Sequence, residues 1–507
     1  MFFNKSKSVL SGFRIILSVL LFSFSSISYS QLYVAVDGSD ENPGTIDLPL
    51  KTITRAIQLA AADTTIFVRG GVHEYNSTIR LNKTGQADKP IKIFAYPGEK
   101  PIIDFSSQPV ATSSRGFQIS HNYWHVKGLE IRNAGDNGIH ISGWYNLVEE
   151  CRIYHCYDTG IQLSNGASHN KIINCDSYEN CDKHTNGENA DGFAAKLSIG
   201  PGNEFHGCRA WGNADDGWDL YEGANAVIIN DCWAFRNGYN VWGLPTYTGD
   251  GNGFKVGGNY VQGPHIVTRS VAFDNKQKGF DQNNNTAGIT LYNNTSFRNG
   301  TRNFSFPSNP ASGKHILKNN ISHRSGTTNS IVSTSIVEAN SWVGFTINDS
   351  DFISLDTSLA LSPRNADSSL PYIDFLRLSQ FSLFIDAGVD VGLSFNGTAP
   401  DLGAFETGPI LSVNENFVEA RSFKLLNNYP NPFNPTTTIA FLIDKREHVK
   451  LAVYDITGTQ IDELVNDTLE PNNYSVRFDG SRLSSGIYFA RLSTSSKHQV
   501  IKLLLMK

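Results

Sequence analysis

The chain has 507 residues, 40% of them hydrophobic and 18% charged, with 44 glycines and a formal charge of −6 at pH 7. It is too long for one ordinary compact domain, and its apolar content is ample for a folded core. Its acidity excludes an electrostatic footprint for nucleic acid, and an anionic partner would need local cations or a bridging metal.

Residues 1–30 read as a secretory signal peptide. Lys5, Lys7 and Arg14 precede the apolar run Ile15 to Phe24 and a Ser-rich stretch ending near Ser30. That run is too short for a bilayer and no other segment approaches the length, so no transmembrane segment is predicted. Cleavage before Gln31 removes three positive charges and takes the formal charge from −6 to −9. The mature chain is expected to be secreted or held at the cell surface as a monomer. It divides into residues 31–408 and 409–507.

Leu32 to about Asp104 reads as strand, turn, helix, strand, with one amphipathic helical pattern from Leu50 to Ala62. A helix there would plug the open end of a repeating core, which otherwise exposes apolar side chains and unpaired strand edges. From about Ile102 to Ser325 a Gly-hydrophobic step recurs: Gly116-Phe117, Gly138-Ile139, Gly160-Ile161, Gly192-Phe193, Gly217-Trp218, Gly253-Phe254 and Gly279-Phe280. Leu129, Cys151, Cys208 and Ser270 each stand nine residues before one of these glycines. Periods of 22 to 36 residues without a helical pattern between them describe an all-β parallel solenoid. Sequence columns then become spatial columns about 4.8 Å apart.

All six cysteines lie between Cys151 and Cys232. Cys151, Cys175, Cys208 and Cys232 share one column and read as a buried thiol ladder. Cys156 with Cys181 is a disulfide candidate that export would permit. Residues 326–405 read as late coils and closing loops. Two coils carry long insertions, 17 residues from Cys175 to Gly192 and 21 from Cys232 to Gly253. Both open onto one edge, where loops commonly build a cleft.

The column before each glycine reads Asn137, Thr159, Asp191, Asp216, Asn252 and Lys278. The position two residues after each glycine reads His140, Gln162, Ala194, Asp219, Lys255 and Asp281. Asp191, Asp215, Asp216 and Asp219 therefore converge within two coils, with Lys255 in register with Asp219 on the next. Carboxylates so close repel unless a cation joins them, and an oxygen-only set without His or Cys suits Ca²⁺. A turn in which aspartates cap backbone N–H groups accounts for Asp215 and Asp216, but not for Asp191 or Asp219. Lys255 reads either as a surface ion-pair partner or as a base. For a base, a bound dication and the aspartates would push its pKa in opposite directions. Lys278 and Arg298 are candidates for binding a substrate anion. Phe193, Trp218, Phe254 and Phe280 form an inward aromatic stack.

After Gly408 the composition changes. Tyr429-Pro430-Asn431-Pro432-Phe433-Asn434-Pro435 leads into alternating strands such as Val449 to Tyr454 and Gly486 to Leu492, a small Ig-like β-sandwich. With Asp455-Ile456-Thr457-Gly458, Gly486-Ile487-Tyr488 and the terminal Lys502 to Lys507, this segment resembles the C-terminal sorting domain of type IX secretion. The resemblance implies the type IX machinery as a partner.

Within the solenoid, Asn189-Ala190-Asp191-Gly192-Phe193-Ala194-Ala195-Lys196, Asp215-Asp216-Gly217-Trp218-Asp219-Leu220-Tyr221, Gly251-Asn252-Gly253-Phe254-Lys255 and Ala272-Phe273-Asp274-Asn275 resemble the pectate lyases of polysaccharide lyase family 9. The resemblance spans roughly Leu32 to Phe405. It implies a right-handed parallel β-helix, Ca²⁺ on Asp191, Asp215, Asp216 and Asp219, and Lys255 as the base in β-elimination on polygalacturonate (pectin). Two other classes compete. A solenoid hydrolase would use the aspartates as acid and base and release reducing ends without unsaturated product. A non-catalytic carbohydrate-binding solenoid would bind without turnover. A lyase on another uronate polymer is the nearest alternative.

Overall fold

The computed structural model of the chain describes residues 30–408, 423–425, 428, 431–443, 445–470 and 472–507. The predicted signal peptide lies outside them except for Ser30, as does the opening Tyr429-Pro430 of the sorting segment.

Three parallel sheets of twelve, ten and ten strands wrap one core as a β-helix. The first sheet runs from Gln31–Val34 to Ile336–Glu338, the second from Ile79–Leu81 to Ser330–Ile331, and the third from Gly71–Glu74 to Ile321–His323. The coil stack thus begins about seventy residues before the predicted start near Ile102. The early strands lack the Gly-aromatic step and pack Ile66, Val68, Ile91 and Ile93 into the same core.

The N-terminal helix is shorter than its pattern, Ile53–Leu59, with the Thr52 hydroxyl accepting from Arg55 N–H as its cap. It buries Ile53, Ala56 and Ile57 against Gln31–Val34, Thr65–Val68 and Ile79–Leu81, bridging the ends of the first and second sheets. The end of the core is plugged there.

The second sheet is ordered by its glycines and its aromatic column. A Cβ on Gly217 would stand 2.5 Å from the carbonyl oxygen of Gly253, and one on Gly253 would stand 2.6 Å from that of Gly279. Only glycine admits so close an approach between coils. One residue on, Phe193, Trp218, Phe254, Phe280 and Phe304 stack with centroids 4.7, 4.8, 4.9 and 5.0 Å apart, the strand spacing itself. The four-cysteine ladder is buried as expected. Cys156 and Cys181 are both free thiols, so the candidate disulfide is absent.

Turns between the sheets carry amide ladders that sequence reading did not find. Asn180 donates to Asn213, Asn213 to Asn237, Asn237 to Asn275 and Asn275 to Asn299, each side chain also accepting a backbone N–H from the coil before it. Such ladders satisfy backbone groups that the turns would leave buried and unpaired.

Residues 340–405 do not continue the coils. After two short 3₁₀ turns, Asp349–Asp351 and Thr357–Leu361, the segment folds back over the outer face of the third sheet. There Phe352, Phe375, Leu378, Phe384 and Leu402 pack on Trp233, Phe235, Phe273, Phe297 and Ile321. Arg364 clamps it, donating to Asp176 Oδ1 at 2.7 Å beside Arg209, which holds the other oxygen at 2.8 Å.

The described residues of the C-terminal unit form two antiparallel sheets around one apolar core, consistent with a small β-sandwich. Thr436–Ile443 pairs with Asn472–Asp479 in one sheet; Glu447–Tyr454, flanked by Gln460–Leu469 and Gly486–Ser493, centres the other.

Candidate active site

The parallel register sets the site. Ala194 lies opposite Asp219, Asp219 opposite Lys255 and Lys255 opposite Asp281, on the strands Phe193–Ala195, Trp218–Asp219, Phe254–Lys255 and Lys278–Asp281. Asp191 and Asp216 occupy the column before the glycines, each oriented by the next coil. Asp191 Oδ1 accepts Asp216 N–H at 3.2 Å, and Asp216 Oδ1 accepts Asn252 N–H at 2.6 Å. Asp215 accepts Asp250 N–H at 2.6 Å and Asn189 N–H at 3.0 Å, which ties it to both long loops. The loops also join each other, Thr248 N–H donating to Asn186 O, while Tyr247 donates to Ala214 O across the gap.

Asp191, Asp215 and Asp216 each bring a carboxylate oxygen within 4.8 Å of the other two, and all are buried. Asp219 stands beside this triad in a different role. Its Oδ2 accepts from Lys196 Nζ at 3.2 Å, its Oδ1 accepts Tyr221 N–H at 3.0 Å, and Lys255 Nζ lies 3.7 Å from Oδ1. Lys255 Nζ is 3.2 Å from Asp216 Oδ2 and 3.7 Å from Asp250 Oδ2.

Lys196 is the residue that sequence reading passed over. It sits one position beyond its strand, outside both marked columns, yet its buried ammonium donates to Asp191 Oδ2 at 2.8 Å as well as to Asp219. Asp250, from the second loop, was also missed. Lys278 lies at the site's edge with its ammonium on Asp281 Oδ2 at 2.8 Å. Arg298 is not brought to the aspartates. It follows Thr295–Phe297 of the third sheet and forks onto Asp274 at 2.6 and 2.8 Å.

The charges are strongly coupled. Burial raises Asp191 to about 6 against the pull of Lys196, and burial with Asp191 raises Asp215 to about 7. Burial and Asp215 push Asp216 well above the carboxylate range. Asp219 is pushed up by burial but pulled further down by Lys255 and Lys196, so it ends low. Burial lowers the Lys255 amine, and Asp219, Asp216, Asp215 and Asp191 more than reverse this and hold it above its ordinary value. Asp216 Oδ2 is buried and makes no hydrogen bond. Four acids facing two ammonium groups leave excess formal negative charge, an all-oxygen donor set and one buried oxygen met only by the Lys255 ion pair, which suits a hard cation.

Comparison with known proteins follows the same outline. Residues 32–329 match the family model described as the Pel9A-like, right handed beta helix region, and residues 427–506 match the secretion system C-terminal sorting domain. Pectate lyase L of Dickeya chrysanthemi is 43% identical over 395 residues, covering 75% of this chain and 92% of that protein. The crystal structure of pectate lyase Pel9A superposes with a TM-score of 0.71 at 42% identity, covering 75% of this chain and 96% of that one. A rhamnogalacturonan lyase structure gives a TM-score of 0.62 at 28% identity, covering 69% and 96%.

Proposed function

Because this chain belongs to the Pel9A-like family of right-handed β-helices, as a polysaccharide lyase of the pectate lyase type, we propose that it cleaves polygalacturonate by Ca²⁺-assisted β-elimination with Lys255 as the base. Its C-terminal sorting domain directs it through type IX secretion to the cell surface or beyond, where such a substrate is found.

The observation that carries the reading is the placement of one buried amine, Lys255, 3.2 Å from a member of the buried carboxylate triad. Asp191, Asp215 and Asp216 would hold the ion, with Asp219 completing the acidic set. When bound, calcium supplies a Lewis acid that draws electron density from the C6 carboxylate of the sugar. Lys255 Nζ takes the proton from C5, the C–H electron pair forms the C4–C5 double bond, and the C4–O bond breaks. The leaving oxygen is protonated by water. For this the amine must start neutral. The aspartates oppose that when they act on Lys255 alone, and burial favours it once their charge is neutralised. Asp219 and Asp250 keep the ammonium formed by the reaction near the groove.

The test is absorbance growth from the unsaturated product on polygalacturonate, with calcium and with chelator, for the parent and Lys255→Ala. Turnover that survives chelation, or that survives the substitution, refutes the reading. Reducing ends without unsaturation would identify a hydrolase instead. The rhamnogalacturonan lyase neighbour favours one second reading, a mixed uronate backbone, tested by running the same assay on rhamnogalacturonan.

A further inference from the structure

The column that holds Asp191 and Asp216 continues past the site. Asn252 Oδ1 accepts Lys278 N–H at 3.4 Å, and Lys278 lies in register with Arg302 on the following coil. Arg302 therefore stands two coils beyond Lys255, about 10 Å along the axis. The Lys278 ammonium is already committed to Asp281. Arg302 is not committed to anything. Among the described residues its side chain has no ion pair, hydrogen bond or aromatic partner, and its Nε is buried and unpaired. Every other arginine between residues 30 and 408 has a side-chain partner. The neighbouring Thr301 Oγ1 is likewise buried without a partner.

The buried Nε–H of Arg302 without an acceptor is costly, since a desolvated donor is left unsatisfied. Its planar fork matches a carboxylate bidentately, which an ammonium cannot do. On the other side of the site, Asp136 and Asp158 occupy the position of Asp215 on earlier turns, and Asp136 is paired with Arg115 at 3.4 Å. Among these column residues of the described coils, Arg302 is the cation left without a carboxylate.

We infer that Arg302, next to Lys278, binds a carboxylate of the polyuronate chain two coils beyond the site of cleavage and makes recognition depend on free, unesterified acid there. This rests on the lyase reading above, and the experiment separates the two. Steady-state rates on polygalacturonate with calcium are measured for the parent, Arg302→Gln and Arg302→Lys, together with their melting midpoints. Loss of a charge-assisted bidentate contact raises KM about tenfold with kcat little changed. Arg302→Lys recovers part of the loss, and the salt dependence of KM becomes shallower in Arg302→Gln. An active parent with KM unchanged in Arg302→Gln overturns the inference and leaves the lyase reading intact. An inactive parent overturns the lyase reading, and the inference with it. Should Arg302→Gln fail to fold, Arg302→Lys alone decides, since it keeps the charge and loses the fork: an unchanged KM overturns the assignment.

Discussion

Replacing Lys196 by Met tests the electrostatic account of the site without touching the proposed base. The ammonium is buried and serves two carboxylates, Asp191 at 2.8 Å and Asp219 at 3.2 Å. Methionine fills similar volume and removes the charge, leaving four buried aspartates to Lys255 alone. Breaking one partner from a buried pair costs about 3–5 kcal/mol, and two acceptors are orphaned here. The metal-free variant should therefore melt well below the parent at a pH above the raised Asp215 value of about 7. Calcium should then recover more in the variant than in the parent. An ion at a hundred times its Kd stabilises by about 2.7 kcal/mol, and tenfold tighter binding at the same concentration adds about 1.4 kcal/mol. The extra affinity arises because the ion no longer competes with an ammonium for Asp191. Melting curves by circular dichroism, in chelator and in calcium, provide the assay. Equal midpoints in chelator, or equal calcium-induced shifts, would refute the reasoning.

Calcium binding should release protons near pH 6, because Asp191 and Asp215 are raised to about 6 and 7 and ligation requires them ionised. Their contribution to the stability of the metal-free fold is complete below the unfolded value of 3.8 and lost as pH rises through about 6 and 7. Calorimetry in buffers of different ionisation enthalpy reads the release, and a buffer-independent heat contradicts it. Asp176→Ala leaves Arg209 and Arg364 without their shared acceptor and should cost about 3–5 kcal/mol. Hydrogen exchange should rise first in residues 357–368, and protection unchanged there would show that Arg364 does not clamp the segment. Phe280→Ala removes one ring from the continuous stack and should cost about 3–5 kcal/mol in unfolding free energy. A loss below about 1 kcal/mol would mean the column relaxes into the gap.

The columns of the second sheet were legible in the sequence because the fold turns period into position. Gly217, Gly253 and Gly279 are demanded by coil-to-coil contact, so the residues beside them could be aligned without a template. Asp219 and Lys255 came into register on that basis alone. Lys196 and Asp250 were invisible for the complementary reason. One follows a strand and the other ends a long loop, so neither inherits a column. Arg298 stands apart from the aspartate cluster because it belongs to the turn after the third sheet and pairs there with Asp274. The return segment had no period at all. Its fit depends on Phe352, Phe375 and Phe384 meeting a surface built a hundred residues earlier. The first coils escaped notice because aliphatic side chains and a plugging helix replace the Gly-aromatic step.

The proposed machinery occupies a short span of coils. The five residues proposed for metal and base lie between Asp191 and Lys255, while twelve strands stack along the first sheet. In a linear array each unit leans only on its neighbours. Whole turns can therefore be added or lost outside that window, lengthening or shortening the bench on which a polymer rests while the cutting edge stays as it is.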